Sequence, residues 1–407
     1  MFRKNRIASV LVSVLVAITI AVGNVTAVFA ADIRQDGAQA TANRVGNVYY
    51  VDAFDGDDGN TGTSERQAWQ TLSKVSQQTF GPGDTILFKR NQTFSGTLKL
   101  NGSGTKDYPI TVDAYGGGEK PHLTTSLEKE QVITLLDGSH WVIQNLEITA
   151  PNGGGIWIDC PNEIVEDIEI RNMTFHDISP DENHDRDATD TAGNGRLAIL
   201  VGNNRVNADL WVDSYLKDIL IADCEFYNMD NGINTQGNCL FESTGKTYPR
   251  NENIVVENCS FRDLWGEAVV LSKTRGMVVR NCSMINTAKG WKNAALAAVW
   301  YWGCQESVVS NCEIAGQQNV ADGMTVDFDD ETETSGYEYI YSHDNVRFMR
   351  NCYYGSPYYG GDNWVRYCLS VNDNAAGNDN MGGIGATGER RMKFYNNTIY
   401  NGSYFTM

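Results

Sequence analysis

The stretch Asn253-Ile254-Val255-Val256-Glu257-Asn258-Cys259-Ser260-Phe261 decides the fold. Strict alternation puts Ile254, Val256, Asn258 and Ser260 on one face of a strand and Val255, Glu257, Cys259 and Phe261 on the other. The same shape returns at Ile219-Leu220-Ile221-Ala222-Asp223-Cys224-Glu225-Phe226 and at Met277-Val278-Val279-Arg280-Asn281-Cys282-Ser283-Met284. Outward from these, the dipeptide and its variants stand at Asn172-Met173, Asn311-Cys312, Tyr339-Ile340, Tyr367-Cys368 and Asn396-Asn397. From Asn172 the steps are 51, 35, 23, 30, 28, 28 and 29 residues. A repeat of this length, built from β-branched runs and polar turns, means one coil of chain per repeat. Stacked coils lie about 4.8 Å apart, so equivalent residues form columns: an Asn column bonding along the axis through its amides, and Cys, Phe, Ile and Leu columns filling the interior. Helical solenoids fit poorly, because 40 Gly punctuate the chain and no repeat holds an amphipathic run long enough for two helices. The expected fold is all-β, a single-stranded parallel β-helix. One helix is predicted, Arg66 to Gln78, with Ala68, Trp69, Leu72 and Val75 on one face. It precedes the first coil at Thr85-Ile86-Leu87-Phe88, where a solenoid needs a cap.

Three segments carry a family resemblance: Tyr49-Tyr50-Val51-Asp52 through Gly59-Asn60-Thr61-Gly62-Thr63, then Ala68-Trp69-Gln70-Thr71-Leu72, then Gly81-Pro82-Gly83-Asp84-Thr85-Ile86. Together they resemble the N-terminal entry of secreted bacterial right-handed β-helix proteins of the pectate-lyase-like superfamily. At the level of architecture the resemblance covers residues 46–407. It implies a right-handed coil. It leaves the reaction open, since lyases, glycoside hydrolases, esterases and non-enzymatic adhesins share this architecture. The polygalacturonase motifs of this fold (Asn-Thr-Asp, paired Asp, Gly-His-Gly, Arg-Ile-Lys) do not occur here. Trp157-Ile158-Asp159 resembles part of a pectate-lyase signature, but Cys160 stands where that signature has His.

Residues 1–30 read as a secretory signal: Arg3, Lys4 and Arg6, an apolar stretch from Ile7 to Val22, and Val28-Phe29-Ala30 before a cleavage point. The expectation is an exported bacterial protein, extracellular or envelope-associated, with no membrane span after cleavage. Residues 31–85 form the N-terminal segment and cap, and 86–407 one β-helix domain. No capping element follows Thr398-Ile399-Tyr400, which points to a C-terminal truncation or a partner over that end. Nine Cys in an exported chain suggest disulfides, yet Cys224, Cys259, Cys282, Cys312 and Cys368 share one repeat position and read as a reduced interior column. Cys160, Cys239, Cys304 and Cys352 lie off that column. A net charge of −19 argues against nucleic acid or anionic membrane as partner. It also disfavours polyuronates unless calcium or a local basic patch intervenes. A monomer is expected. The polar excursions 179–195 and 237–252 are placed to wall a groove.

The groove should be built by each repeat's later strand, the richest being Asp322-Gly323-Met324-Thr325-Val326-Asp327-Phe328-Asp329-Asp330. Alternation sends Met324, Val326 and Phe328 inward and Thr325, Asp327 and Asp329 outward. Two carboxylates at i and i+2, about 6.8 Å apart at Cα, can act as acid and as base or nucleophile across a glycosidic bond. Asp327 and Asp329 are the preferred pair and Asp322 a third candidate; a calcium site or a solvated acidic face uses the same oxygens. One coil earlier, Trp300 and Trp302 would form a sugar-stacking platform if Tyr301 points inward. Lys273, Arg275 and Lys292 are the basic groups near the groove, and a β-eliminating lyase would need one as base with calcium on the acids. His343-Asp344-Asn345 reads as a turn, as do Asp52, Asp55, Asp57 and Asp58, which lack an EF-hand's terminal Glu. The reading is a glycoside hydrolase on plant or microbial wall polysaccharide. A calcium-dependent polysaccharide lyase and a non-catalytic glycan-binding or adhesin β-helix are the alternatives.

Overall fold

The computed structural model describes residues 45–180, 196–202, 214–236, 239–241, 247–249, 251–289, 296–318, 323–329, 331–351, 361–373 and 392–400. The expected signal segment 1–30, Asp322, Lys292, Cys352, most of the 179–195 excursion, half of the 237–252 excursion and the residues after 400 lie outside them. The chain winds as a parallel β-helix whose coils each contribute to three parallel ladders. Among the described residues the long ladder has 13 strands, from Val48–Val51 to Lys393–Tyr395. The middle ladder has 11, from Thr93–Ser95 to Thr398–Tyr400, and the third, named the groove ladder for the site expected on it, has 9, from Leu98–Leu100 to Arg347–Asn351. One full coil reads Leu216–Ala222 in the long ladder, Glu225–Met229 in the middle ladder and Asn231–Gln236 in the groove ladder.

The repeated Asn has a firmer reason than amide stacking. Asn172, Asp223, Asn258, Asn281, Asn311, Tyr339, Tyr367 and Asn396 all have φ between 48° and 58°. This left-handed region is one that Asn and Asp tolerate better than other L-residues. The amide ladder is present as well: Asn258 Nδ2 donates to Asp223 Oδ1 at 3.1 Å, and Asn281 Nδ2 to Asn258 Oδ1 at 3.3 Å. The left-handed residue also corrects the alternation. Ile254 and Val256 face the core, but so do Cys259 and Phe261, because Asn258 turns the chain between the long and middle ladders and resets the face.

In the interior, Cys224, Cys259, Cys282, Cys312 and Cys368 are buried free thiols, and Cys160 and Cys304 are buried as well. The first four sit in register on successive coils, and burial pushes the Cys368 thiol up to about 11. Phe175, Phe226 and Phe261 stack beside them with centroids 4.9 and 4.5 Å apart.

The entrance helix is shorter than predicted. Glu65–Gln67 is a 3₁₀ turn and the α-helix spans only Leu72–Ser76. Trp69 is drawn out of it into a bridge with Val51, its N–H donating to Tyr50 O and its carbonyl accepting from Asp52 N–H. Thr71 then caps the helix, accepting from Lys74 N–H, while Asp58 accepts from the N–H groups of Gln70 and Thr71. All four residues expected on its apolar face are buried. Asp52 lies at the adjoining turn. Burial alone would raise its carboxyl, but Lys89 at 2.6 Å, Gln92 and two backbone N–H groups hold it at about 2.

Candidate active site

Groove-ladder strands turn one face to the main core, while the other face is half-buried in Val299–Trp302 and buried in Val269–Ser272 and Met324–Phe328. In Val299–Trp302, Val299 and Tyr301 are fully buried in the core and Trp300 and Trp302 are half-buried on the outer side. The next strand, Met324–Phe328, sets Phe328 opposite Tyr301. That register brings Asp327 beside Trp300 and Asp329 beside Trp302. The ladder continues with the Asp329 N–H donating to Tyr301 O at 2.8 Å.

The register therefore brings Asp327, Asp329, Trp300 and Trp302 to the side of the ladder opposite the core residues Tyr301 and Phe328, across two adjacent coils. Asp327 is only 7 % exposed, and Asp329 is partly exposed. Beneath them, the buried Tyr337 hydroxyl accepts from the Asp327 N–H at 3.3 Å. It also lies 2.9 Å from the carbonyls of Val299 and Asp327, so one group ties the two strands together from inside.

Thr325 corrects the expected row of three. Its hydroxyl lies 2.7 Å from Ser342 Oγ in the interior. The chain bends at the entry to each groove strand, so this position faces the middle ladder; its equivalents on earlier coils are Gly232, Ala268 and Ala298. A Cβ on Gly232 would meet Ala268 O at 2.3 Å and the Phe261 ring at 3.0 Å, which holds that position to glycine. At Thr325 the neighbouring column residue is Ser342, whose hydroxyl bonds to it. Met324 correspondingly leaves the main core and packs with Ala297 and Trp300.

Lys273 closes one side. Its ammonium pairs with Glu331 at 2.8 Å, with side chains 6 % and 12 % exposed, and sits 4.7 Å from the Trp302 ring centroid. Gly303 is required there: its φ is +61°, and a Cβ would approach the Lys273 ammonium to 2.7 Å. Arg275 is exposed and 3.8 Å from Glu306. His343 is bracketed by Asp344 at 2.9 Å and Glu313 at 3.1 Å, which raise its pKa against the effect of burial. Trp157 is half-buried and donates its indole N–H to Gly202 O at 3.0 Å.

Sequence reasoning missed two residues. Glu267, buried at the entry to the Val269–Ser272 strand, donates its N–H to Asn231 Oδ1 at 2.9 Å. An acid two places before a wholly buried strand was the available signal. Asn345, read as a turn residue, is fully buried. Among the described residues no cluster of three or more His, Cys, Asp or Glu is placed to hold a metal ion, and no helix is long and apolar enough to cross a membrane.

The family match for the right-handed β-helix region spans residues 129–336, slightly over half of the chain. The chain belongs to the right-handed β-helix family. It is 23 % identical to a lacto-N-biosidase of Bifidobacterium longum subsp. longum over 94 % of this chain and 29 % of that protein. It thus spans less than a third of that relative's length. The crystal structure of a GH136 lacto-N-biosidase from Eubacterium ramulus superimposes with a TM-score of 0.66 at 19 % identity, covering 87 % of this chain and 68 % of that one. The structure of a pectate lyase, Pel9A, matches with a TM-score of 0.53 at 12 % identity over 90 % and 80 % of the two chains. At these identities both structures speak for the fold alone.

Proposed function

We propose that this β-helix is a carbohydrate-active enzyme of the glycoside hydrolase class, with Asp327 and Asp329 as its acid and base or nucleophile. The observation that supports the reading is the register of Tyr301 with Phe328, which sets Asp327, near the end of its strand, and Asp329, just beyond it, level with Trp300 and Trp302 of the neighbouring coil. Aromatic faces bind the apolar faces of pyranose rings, and two carboxyls at this spacing straddle a glycosidic bond. Asp327 is the more buried of the two, which suits it to the general-acid role; Asp329, partly exposed, can meet water or the anomeric carbon. Asp322 remains a third candidate, since it precedes the same strand in sequence. The relative named for lacto-N-biose release supports a glycosidase and adds glycans ending in lacto-N-biose to wall polysaccharides as candidate substrates.

A calcium-dependent lyase is less well supported. β-Elimination needs a free base beside the substrate, and Lys273, the described lysine among the candidates, is buried and held by Glu331. A panel of wall polysaccharides and lacto-N-biose-terminated oligosaccharides, assayed for reducing ends and for unsaturated-uronate absorbance, separates the readings. Reducing ends released without that absorbance, and unaffected by chelator, are expected. Absorbance abolished by chelator would replace the hydrolase with the lyase, and glycan binding with no cleavage would leave an adhesin.

A further inference from the structure

Under the proposed site the core is polar. Asp373 is 3 % exposed, and its carboxylate accepts from Ser370 Oγ at 2.6 Å, from Ser342 Oγ, and from Asn345 N–H at 3.1 Å. The Asn345 side-chain amide lies 3.0 Å from Asp373 Oδ1, 3.1 Å from both Thr325 Oγ1 and Ser342 Oγ, and 2.9 Å from Ile314 O. Its carbonyl oxygen accepts from Gln317 N–H at 3.0 Å, and Gln317 Oε1 accepts from Ala298 N–H at 2.8 Å.

The network thus ends on two groove strands. Through Thr325 it holds Met324–Phe328, which carries Asp327 and leads to Asp329; through Gln317 and Ala298 it holds the entry to Val299–Trp302. Elsewhere the same interior column is Phe175, Phe226, Phe261, Met284 and Ile314, so fold alone does not call for polar groups there. Buried polar networks impose a defined geometry that apolar packing does not. Burial keeps the Asp373 carboxyl above its ordinary range despite its donors, so the network bears a real desolvation cost.

We propose that Asp373, Asn345, Ser342, Gln317 and Thr325 form an internal positioning device that fixes the Trp300 and Asp327 strands relative to each other. The inference rests on the glycoside hydrolase reading of the groove. These residues do not touch substrate; they act through the backbone of the strands that do.

Two full-length variants test it. Thr325→Val removes one hydroxyl at nearly constant volume, and Asp373→Asn keeps shape while replacing an acceptor with a donor. Both should lower kcat about tenfold or more while KM stays within about threefold, the signature of misplaced catalytic groups. Amide hydrogen exchange at Ala298 and Val326–Asp329 should quicken in both. Phe226→Ala supplies the contrast, lowering stability without changing kcat per folded molecule. Wild-type kcat and exchange in both network variants would overturn the proposal. If instead Asp327→Asn and Asp329→Asn hydrolyse normally, the groove assignment fails, and the exchange measurement alone decides whether the network holds the two strands.

Discussion

One interior column runs the length of the middle ladder, and its two halves are built from different chemistry. From Ile148 it passes through Phe175, Phe226 and Phe261, where stacked rings bury large apolar area. Beyond Met284 and Ile314 it becomes Ser342 and Ser370 before returning to Ile399. The aromatic half contributes stability through packing. The polar half lies under the strands bearing Asp327 and the tryptophans, and its hydrogen bonds hold geometry. The contrast teaches where this solenoid spends its stability: in the coils that organise the groove.

Breaking the functional half should have the largest effect on activity. Asp327→Asn and Asp329→Asn keep shape and leave the ladders intact, so thermal unfolding should shift little while turnover falls roughly 10²–10⁴-fold. Unchanged turnover in both would remove the pair from the mechanism.

Breaking the aromatic half should affect stability most. Phe226→Ala leaves a cavity between Phe175 and Phe261 and should cost about 3–5 kcal/mol in denaturant unfolding. A loss under about 1 kcal/mol would mean the stack contributes little beyond filling space.

Away from both halves, at the entrance, Asp52 has a folded pKa of about 2 against an ordinary 3.8. A depressed carboxyl stabilises the fold above its ordinary pKa, and that contribution disappears as pH falls through its folded value. Asp52→Asn should therefore cost about 2 kcal/mol at neutral pH, and its deficit against the parent should close between pH of roughly 4 and 2. A deficit independent of pH would refute the ionic account of this turn.

At the rim of the polar half, His343 has the opposite sign. Its pKa is raised, so its contribution is fully present below the ordinary value of 6.5 and lost as pH rises through the folded one. With exposed carboxylate partners the effect should be only a few tenths of a kcal/mol, seen as a small melting difference from His343→Gln at acidic pH that vanishes at alkaline pH. A difference that grows with pH would reverse the assignment.

The coil was legible because Asn-Cys marks one backbone event each time. The turn needs a left-handed residue, and the position after it takes an interior side chain, most often Cys but also Met173 and Ile340. Tyr339 and Tyr367 show where that signal thins: their φ values of 55° and 58° meet the same demand, and their rings stack at 5.1 Å, which no pattern of residue types announces. The side of the ladder taken by Trp300, Trp302 and Asp327 was legible because simple alternation survives within a strand. Thr325 was not, because the strand entry bends and alternation fails at the bend. Asn345 and Asp373 were hidden for a similar reason: a polar residue in a turn-like run gives no sign that the chain folds it inward.

If a glycosidic bond is cut beside Trp300, Trp302, Asp327 and Asp329, as proposed, a bound oligosaccharide must lie across these four residues. A crystal structure of the full chain, carrying Asp327→Asn to prevent turnover, soaked with the best oligosaccharide from the substrate panel, tests it most directly. A sugar ring should stack on Trp300 or Trp302, with the scissile oxygen within hydrogen-bonding distance of residue 327 and Asp329 near the anomeric carbon. An oligosaccharide bound on another face of the solenoid, or across the groove with both residues out of reach of its glycosidic oxygen, would contradict it.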